Sequence, residues 1–66
     1  MGLRNDALIH KRIKSGLTKE KIAELAGVHV GTYLRWEQGR IPTLRNIRRL
    51  CDILQATPED LGYDKF

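Results

Sequence analysis

The sequence predicts an all-α protein. Apolar residues recur at intervals of three and four along most of its 66 residues, which is the spacing of one helix face. Signals for strands, such as an Asn-Gly hairpin turn, are almost absent. Helix-start and helix-stop residues divide the chain into five short helices. Because 66 residues suffice for one domain at most, we expect a single domain over residues 1–66.

The first two predicted helices are short and are separated by a glycine. The first covers residues 6–14 and ends before Gly16, because glycine suits a left-handed C-cap. The second covers residues 19–26 and follows Thr18, whose hydroxyl suits an N-cap. The residues expected to face inward are Leu8, Ile9 and Ile13 in the first helix and Ile22, Ala23 and Ala26 in the second.

The third predicted helix follows a sharp turn at Gly27, where glycine adopts a positive φ at little cost. It begins at His29 or Val30 and ends at Gln38-Gly39. Its two aromatic residues, Tyr33 and Trp36, lie at helical spacing, which is more typical of core residues than of a base-stacking platform.

Two more helices complete the prediction. The fourth begins at Pro42-Thr43, and the fifth begins at Thr57-Pro58, where proline takes the first helical position. The fourth is the most clearly amphipathic, because its apolar residues repeat at i, i+3, i+4 and i+7. These residues are Ile47, Leu50, Cys51 and Leu54.

Charge is distributed unevenly along the chain. Residues 1–54 contain 11 basic and 5 acidic side chains, whereas residues 55–66 contain 1 basic and 3 acidic side chains. The basic segment is where a polyanion would bind, so nucleic acid is a candidate partner. Cys51 has no second cysteine with which to pair, and no apolar stretch has membrane length, so we expect a soluble protein of the reducing cytoplasm.

The residues that enzymes require are not arranged for catalysis. We find no nucleophile with a neighbouring base, no paired catalytic acids and no phosphate-binding glycine loop, so we expect no enzymatic activity. His10 and His29 lie 19 positions apart without an adjacent thiol or carboxylate motif, so we also expect no metal and no cofactor. Cys51 is interpreted as a small buried apolar residue rather than a redox sensor.

Two short helices joined at Gly27 form the pattern of a helix-turn-helix over about residues 18–38. The run TYLRWEQGRIPTL continues it with a glycine stop, a basic loop and the proline that opens the fourth helix. With these features the chain resembles the lambda-repressor and Cro type, the XRE family. The residues that carry the resemblance are Leu17-Thr18, Ile22-Ala23, Gly27-Val28, Thr32-Tyr33, Arg35-Trp36-Glu37, Gly39-Arg40, Pro42, Leu44, Ile47, Leu50 and Leu61.

The resemblance implies a compact five-helix, lambda-repressor-like DNA-binding domain whose third helix enters the major groove. It places Val30, Gly31 and Arg35 at the bases, and Arg35 suits bidentate hydrogen bonds to guanine. His29 and Lys19 stand where the family more often has a Ser or Thr cap and a glutamine, and neither Val30 nor Gly31 offers a hydrogen bond to a base. We therefore expect few direct base contacts, with DNA shape contributing to selectivity.

Phosphate contacts require only positive charge or free backbone N–H groups near the groove edges. They are expected from the amino end of the fourth helix and from Lys19, Lys21, His29, Thr32, Arg40 and Arg45. Arg48 and Arg49 are weaker candidates, because they also fit the solvated side of an amphipathic helix.

Two opposite charges are expected to face the core. Arg12 lies one turn after Leu8, and Glu37 lies one turn after Tyr33, on the inward sides of their helices. The family has a buried Arg–Glu pair at these two positions, so the resemblance implies that Arg12 and Glu37 form a structural ion pair that holds the third helix.

These observations predict a transcriptional regulator, in particular a repressor, that binds double-stranded DNA as a homodimer. The dimer surface is predicted at Leu61, Tyr63 and Phe66, although the same residues could simply close the core. By the resemblance, the source would be a bacterium or a phage. No small-molecule site and no membrane contact are expected. The alternative is an antitoxin-like module whose main partner is another protein.

Overall fold

The computed structural model describes residues 4–63, and the regular structure in this range is helical. Four α-helices follow one another: α1, Asp6–Lys14; α2, Lys19–Ala26; α3, Val30–Glu37; and α4, Leu44–Leu54. A single 3-10 turn, Glu59–Leu61, comes last. The prediction of an all-α fold is confirmed for this part of the chain.

Polar side chains start the four helices. Thr18 and Thr43 accept hydrogen bonds from backbone N–H groups of the first turns of α2 and α4, and His29 does the same for α3. Asn5 caps α1 by accepting from Leu8 N at 3.0 Å. Such bonds satisfy donors that a helix start would otherwise leave without partners.

Asn5 also links three separate elements. Its backbone N–H donates to the carbonyl oxygen of Glu37 at 2.8 Å, at the end of α3. Its side-chain Nδ2 donates to the carbonyl oxygen of Leu61 at 2.9 Å, in the 3-10 turn. Asn5, just before α1, therefore connects the start of α1 to the end of α3 and to the 3-10 turn.

One core is shared by all the helices. α2 packs against both α3 and α4, and α1 packs against α3 and the 3-10 turn. Tyr33 and Trp36 are buried and meet edge to face with ring centroids 6.0 Å apart, so their prediction as core residues is confirmed. The side chains that are most completely buried are Tyr33, Leu8, Ile22, Ile47, Leu50 and Leu61.

The fifth predicted helix is wrong. Thr57 and Asp60 do form a helix start, because Asp60 N donates to Thr57 Oγ1 at 3.2 Å and Thr57 N donates to Asp60 Oδ2 at 3.1 Å. The helix ends almost at once, because Gly62 adopts a φ of +82° and reverses the chain. The result is one 3-10 turn.

Ile13 was expected to face inward but is 61% exposed. It lies five residues after the buried Leu8, and at 100° per residue this spacing turns it well away from the core. Arg12, one full turn after Leu8, takes the inward position instead. The inward prediction therefore holds for Leu8, and Ile9 is half-buried.

The predicted dimer surface is also wrong for the residues that can be assessed. Leu61 is fully buried and Tyr63 is 5% exposed, because the C-terminal turn packs against α1 and closes the core. Neither side chain is available to a second molecule. Phe66, the third residue of that prediction, lies outside the described residues.

None of the helices in residues 4–63 has the length and apolarity needed to cross a bilayer.

Gln55 ends α4 in the left-handed conformation, with a φ of 52°. This conformation costs a residue with a Cβ about 1–2 kcal/mol. We predict that Gln55→Gly raises the free energy of unfolding by about 0.5–1 kcal/mol, because the strain exceeds the entropy that glycine adds to the unfolded chain. Urea denaturation followed by circular dichroism measures it. Gln55→Ala is the control, since it retains the Cβ, and a glycine variant no more stable than this alanine variant would refute the prediction.

Candidate nucleic-acid interface

α2 and α3 are joined by a tight turn at Gly27. This residue has a φ of +75°, which glycine adopts without strain. Val28 N then donates to the carbonyl oxygen of Ala23 at 3.0 Å, and Val28 packs half-buried against the core. The two helices and their turn form a helix-turn-helix at the predicted position.

His29 shapes the start of α3. Its Nδ1 accepts a hydrogen bond from Gly31 N at 3.0 Å, so the imidazole replaces the more usual hydroxyl cap. Because Nδ1 acts as an acceptor, the ring proton of the neutral imidazole lies on Nε2. The exposed imidazole therefore keeps one N–H group that can donate a hydrogen bond to a phosphate oxygen.

The three predicted base-reading residues differ in their surroundings. Gly31 and Arg35 lie four residues apart and therefore share one face of α3. Arg35 is exposed, and its guanidinium makes no hydrogen bond or ion pair with any described residue. Val30 is half-buried and packs against the core, so only part of its side chain is available to a base.

A cleft with both polar and apolar lining, the latter including Ile41 and Pro42, lies between the exposed side of α3 and the beginning of α4. It brings together three residues of the predicted interface: Thr32, Arg35 and Arg40. The start of α4 lies beside them through Thr43 and Asn46, and the positive end of that helix adds to the two guanidinium charges. This part of the surface suits an anionic backbone.

The remaining predicted phosphate contacts lie elsewhere. Lys19 Nζ lies 3.9 Å from Glu37 Oε1, in a second cleft at the C-terminal end of α3. Lys21 Nζ lies 3.5 Å from Glu24 Oε1 on the exposed side of α2. Arg45 lies beside the turn at Gly27. The Lys21 pair is exposed on both sides, so it is weak and Lys21 can exchange it for a phosphate at little cost. Lys19 is exposed as well, but its partner Glu37 is buried.

Glu37 is a buried acid at the end of α3. Its Oε2 accepts hydrogen bonds from Arg12 Nε at 2.8 Å and from the Tyr33 hydroxyl at 2.6 Å. Burial, and then the hydrogen bond to Glu37, raise the pKa of Tyr33 well above its ordinary range, so the hydroxyl keeps its proton and remains a donor. Two donors therefore compensate the carboxylate for its lost hydration.

Arg12 also reaches the start of the helix-turn-helix. Its Nη1 donates to the carbonyl oxygen of Leu17 at 3.0 Å, immediately before the N-cap of α2. One guanidinium on α1 thus contacts the beginning of α2 and, through Glu37, the end of α3. The arrangement holds both ends of the helix-turn-helix on the same support.

Sequence reasoning missed several contacts of this region. The Tyr33 hydroxyl was treated only as part of a core ring, although its spacing of four from Glu37 indicates that the two side chains can meet. The place of Asn46 on the edge of the cleft and the hydrogen bond from Arg49 to the carbonyl oxygen of Ala26 have no local signal in the sequence. Both depend on how α4 packs against the other helices.

Nothing in residues 4–63 forms a metal centre of at least three His, Cys, Asp or Glu side chains. Cys51 is half-buried, and burial, with the nearby Asp52 as a smaller cause, raises the pKa of its thiol. A raised pKa lowers the fraction of reactive thiolate at neutral pH.

A model of the helix-turn-helix family matches residues 8–61, which is most of the chain. The chain therefore belongs to the helix-turn-helix family of the Cro/C1, or XRE, type. A search of curated proteins and a search of solved structures give no significant match. At the level of the family, the protein is a DNA-binding transcription regulator.

We predict that Tyr33→Phe lowers the free energy of unfolding by about 1.5–3 kcal/mol, because it removes a hydrogen bond to a buried charge and leaves the ring in place. Urea denaturation measures the change. In a Glu37→Gln background the same substitution should cost clearly less, since the charged acceptor is gone. Equal costs in the two backgrounds would show that the hydroxyl does not act through Glu37.

Proposed function

We propose that this protein is a sequence-specific regulator that inserts α3 into the major groove of double-stranded DNA. The single observation that carries the proposal is the exposed guanidinium of Arg35 on α3, which lines the cleft at the start of α4 and makes no hydrogen bond or ion pair with any residue of 4–63. A guanidinium without a partner in this part of the chain is free to donate two hydrogen bonds to O6 and N7 of a guanine.

The other proposed contacts divide into base and backbone contacts. Gly31 lets the backbone of α3 approach the bases closely, and the exposed part of Val30 suits a thymine methyl group. The basic and polar groups around the groove edges are proposed to contact phosphates. These groups are Lys19, Lys21, His29, Thr32, Arg40 and Arg45. Because there are few base contacts, DNA shape supplies the rest of the selectivity.

We propose repression as the regulatory outcome, because a protein lying in the major groove excludes other proteins from the same base pairs. It acts in the cytoplasm, without catalysis and without a small-molecule ligand. One recognition helix contacts few bases, so a second copy on a two-fold operator increases both affinity and selectivity.

The size of the domain supports a dimer on DNA. It measures 25 × 24 × 22 Å along its principal axes. Half-sites one turn apart lie about 34 Å from centre to centre, which leaves about 9–12 Å between the backbones of neighbouring copies. Ile41 and Leu44 are 60% and 57% exposed and follow α3, so we assign the contact between the two copies to this pair.

One arginine substitution and one lysine substitution test the proposed contacts. We predict that Arg35→Ala weakens binding to a selected duplex by roughly ten-fold or more and flattens the preference among sequences, because one bidentate base contact contributes about 1–3 kcal/mol. Lys19→Ala should weaken binding to all sequences alike and lower the salt slope by about 0.9. Fluorescence anisotropy with labelled duplexes at several salt concentrations measures both.

The matched control for this experiment is Lys14→Ala, an exposed lysine on α1 that lies in neither of the two clefts beside α3. It should leave preference and slope unchanged. If the wild-type protein shows no preference among sequences at any salt concentration, operator recognition is refuted and a protein partner becomes the leading function.

We predict that the double variant Ile41→Ser, Leu44→Ser abolishes cooperative binding to a two-fold duplex, because it removes the apolar surface between the copies and leaves the charge of the cleft beside Arg35 unchanged. Binding to a single half-site should weaken by much less. Titrations of one-site and two-site duplexes separate these effects. Ile13→Ser, an equally exposed position on α1, is the control, and equal loss of cooperativity in both variants would contradict the assignment.

A further inference from the structure

Arg49, on α4, contacts the turn of the helix-turn-helix, and the proposed DNA contacts do not use it. Its Nη1 donates a hydrogen bond to the carbonyl oxygen of Ala26 at 3.0 Å. Ala26 is the last residue of α2, and the carbonyl groups at a helix end lack partners within the helix. A positive charge is also favourable at that end of the helix dipole. The bond thus satisfies an acceptor and links α4 to the end of α2.

Gly27 shows how closely the same guanidinium approaches the turn. A Cβ built on this residue would lie 2.9 Å from Arg49 Nη1, which is closer than such atoms approach in proteins. The guanidinium therefore occupies the space that a side chain at Gly27 would fill. Gly27 serves two purposes here, since its φ of +75° reverses the chain and its missing side chain admits Arg49.

The hydrogen bond from Arg49 to Ala26 lies just before the start of α3, the helix that is proposed to contact the bases. Gly27 and Val28 connect α2 to the cap of α3, so their position determines where α3 begins. Gly31 and the first turn of α3 follow directly, and in the proposed function this end of α3 lies closest to the bases. A turn fixed from α4 therefore fixes the entry of α3 into the groove.

We propose that Arg49 is a positioning residue for sequence readout: its guanidinium, seated over Gly27 and bonded to Ala26, holds the turn that directs α3. The inference rests on the proposed function, because it concerns how α3 meets the bases. This role distinguishes Arg49 from the neighbouring arginines on α4. Arg45 and Arg48 make no hydrogen bond or ion pair with any described residue, so they remain available to solvent or to phosphate.

The test compares Arg49→Gln with Arg48→Gln, an adjacent exposed arginine on the same helix. Both variants lose one positive charge, so the electrostatic change is matched. Binding to a selected duplex and to a scrambled duplex is measured by fluorescence anisotropy over a range of salt concentrations. Circular dichroism at the same temperature verifies that each variant is fully folded.

We expect Arg49→Gln to weaken binding to the selected duplex by about five-fold, because a turn that has lost this hydrogen bond must be ordered on binding, with the scrambled duplex nearly unaffected. Its salt slope should equal that of the wild type. Arg48→Gln should leave the preference between the duplexes unchanged. Arg49→Lys, which keeps a charged donor, should restore part of the preference.

Two results would overturn the inference. A salt slope lowered by about 0.9, with both duplexes weakened alike, would make Arg49 a phosphate contact. An unchanged preference in Arg49→Gln would show that the turn does not need it. A wild-type protein without any sequence preference would instead overturn the proposed function and the inference together, so the two failures are distinguishable.

A double-mutant cycle examines the contact itself without DNA. Gly27→Ala lowers the melting temperature through its positive φ and through displacement of Arg49, so in the Arg49→Gln background its effect should be smaller. Equal effects in both backgrounds would show that the guanidinium does not occupy this space in solution.

Discussion

The fold depends most on a single buried carboxylate. Glu37 is 5% exposed at the end of α3, and a charge in that position is tolerated only with hydrogen-bonding partners. Arg12 and Tyr33 supply them from α1 and from α3 itself. Because Arg12 also bonds the carbonyl of Leu17, the same cluster fixes where α2 begins and where α3 ends. Removal of one charge from such a pair typically costs about 3–5 kcal/mol, a large part of the stability of so small a domain.

The helices could be predicted from the sequence because their signals are local. Thr18 and Thr43 start helices, Gly27 ends one, and the apolar spacing of α4 identifies its buried face, so these elements lie where the pattern puts them. The prediction of a fifth helix gives too little weight to another local signal, because Gly62 reverses the chain three residues after a good helix start. The choice between a dimer surface and closure of the core at Leu61 depends instead on a longer-range effect, the packing of the C-terminal turn against α1.

The residues of the candidate site likewise divide into those that the local motif predicts and those that depend on how the helices pack. The place of the helix-turn-helix and the exposed Arg35 follow from the motif, whereas the pairing of Lys19 with Glu37 and the contact between Arg49 and Ala26 join residues far apart in sequence. Spacing cannot find such contacts, since they depend on how α4 and α1 pack on the helix-turn-helix. The two ends of α3 are supported differently: an ion pair from α1 holds its C-terminal end, and a guanidinium on α4 contacts the turn before its N-terminal end.

In the proposed function α3, held in this way, reads guanine through Arg35 in the major groove. This contact is tested by replacing each guanine of a selected duplex, one at a time, by 7-deazaguanine, which lacks only the N7 acceptor of the major-groove edge. We expect one or two replacements in each half-site to weaken binding of the wild-type protein but not of Arg35→Ala. If no replacement affects the wild type, or if both proteins lose affinity equally at the same guanines, Arg35 does not read the major groove.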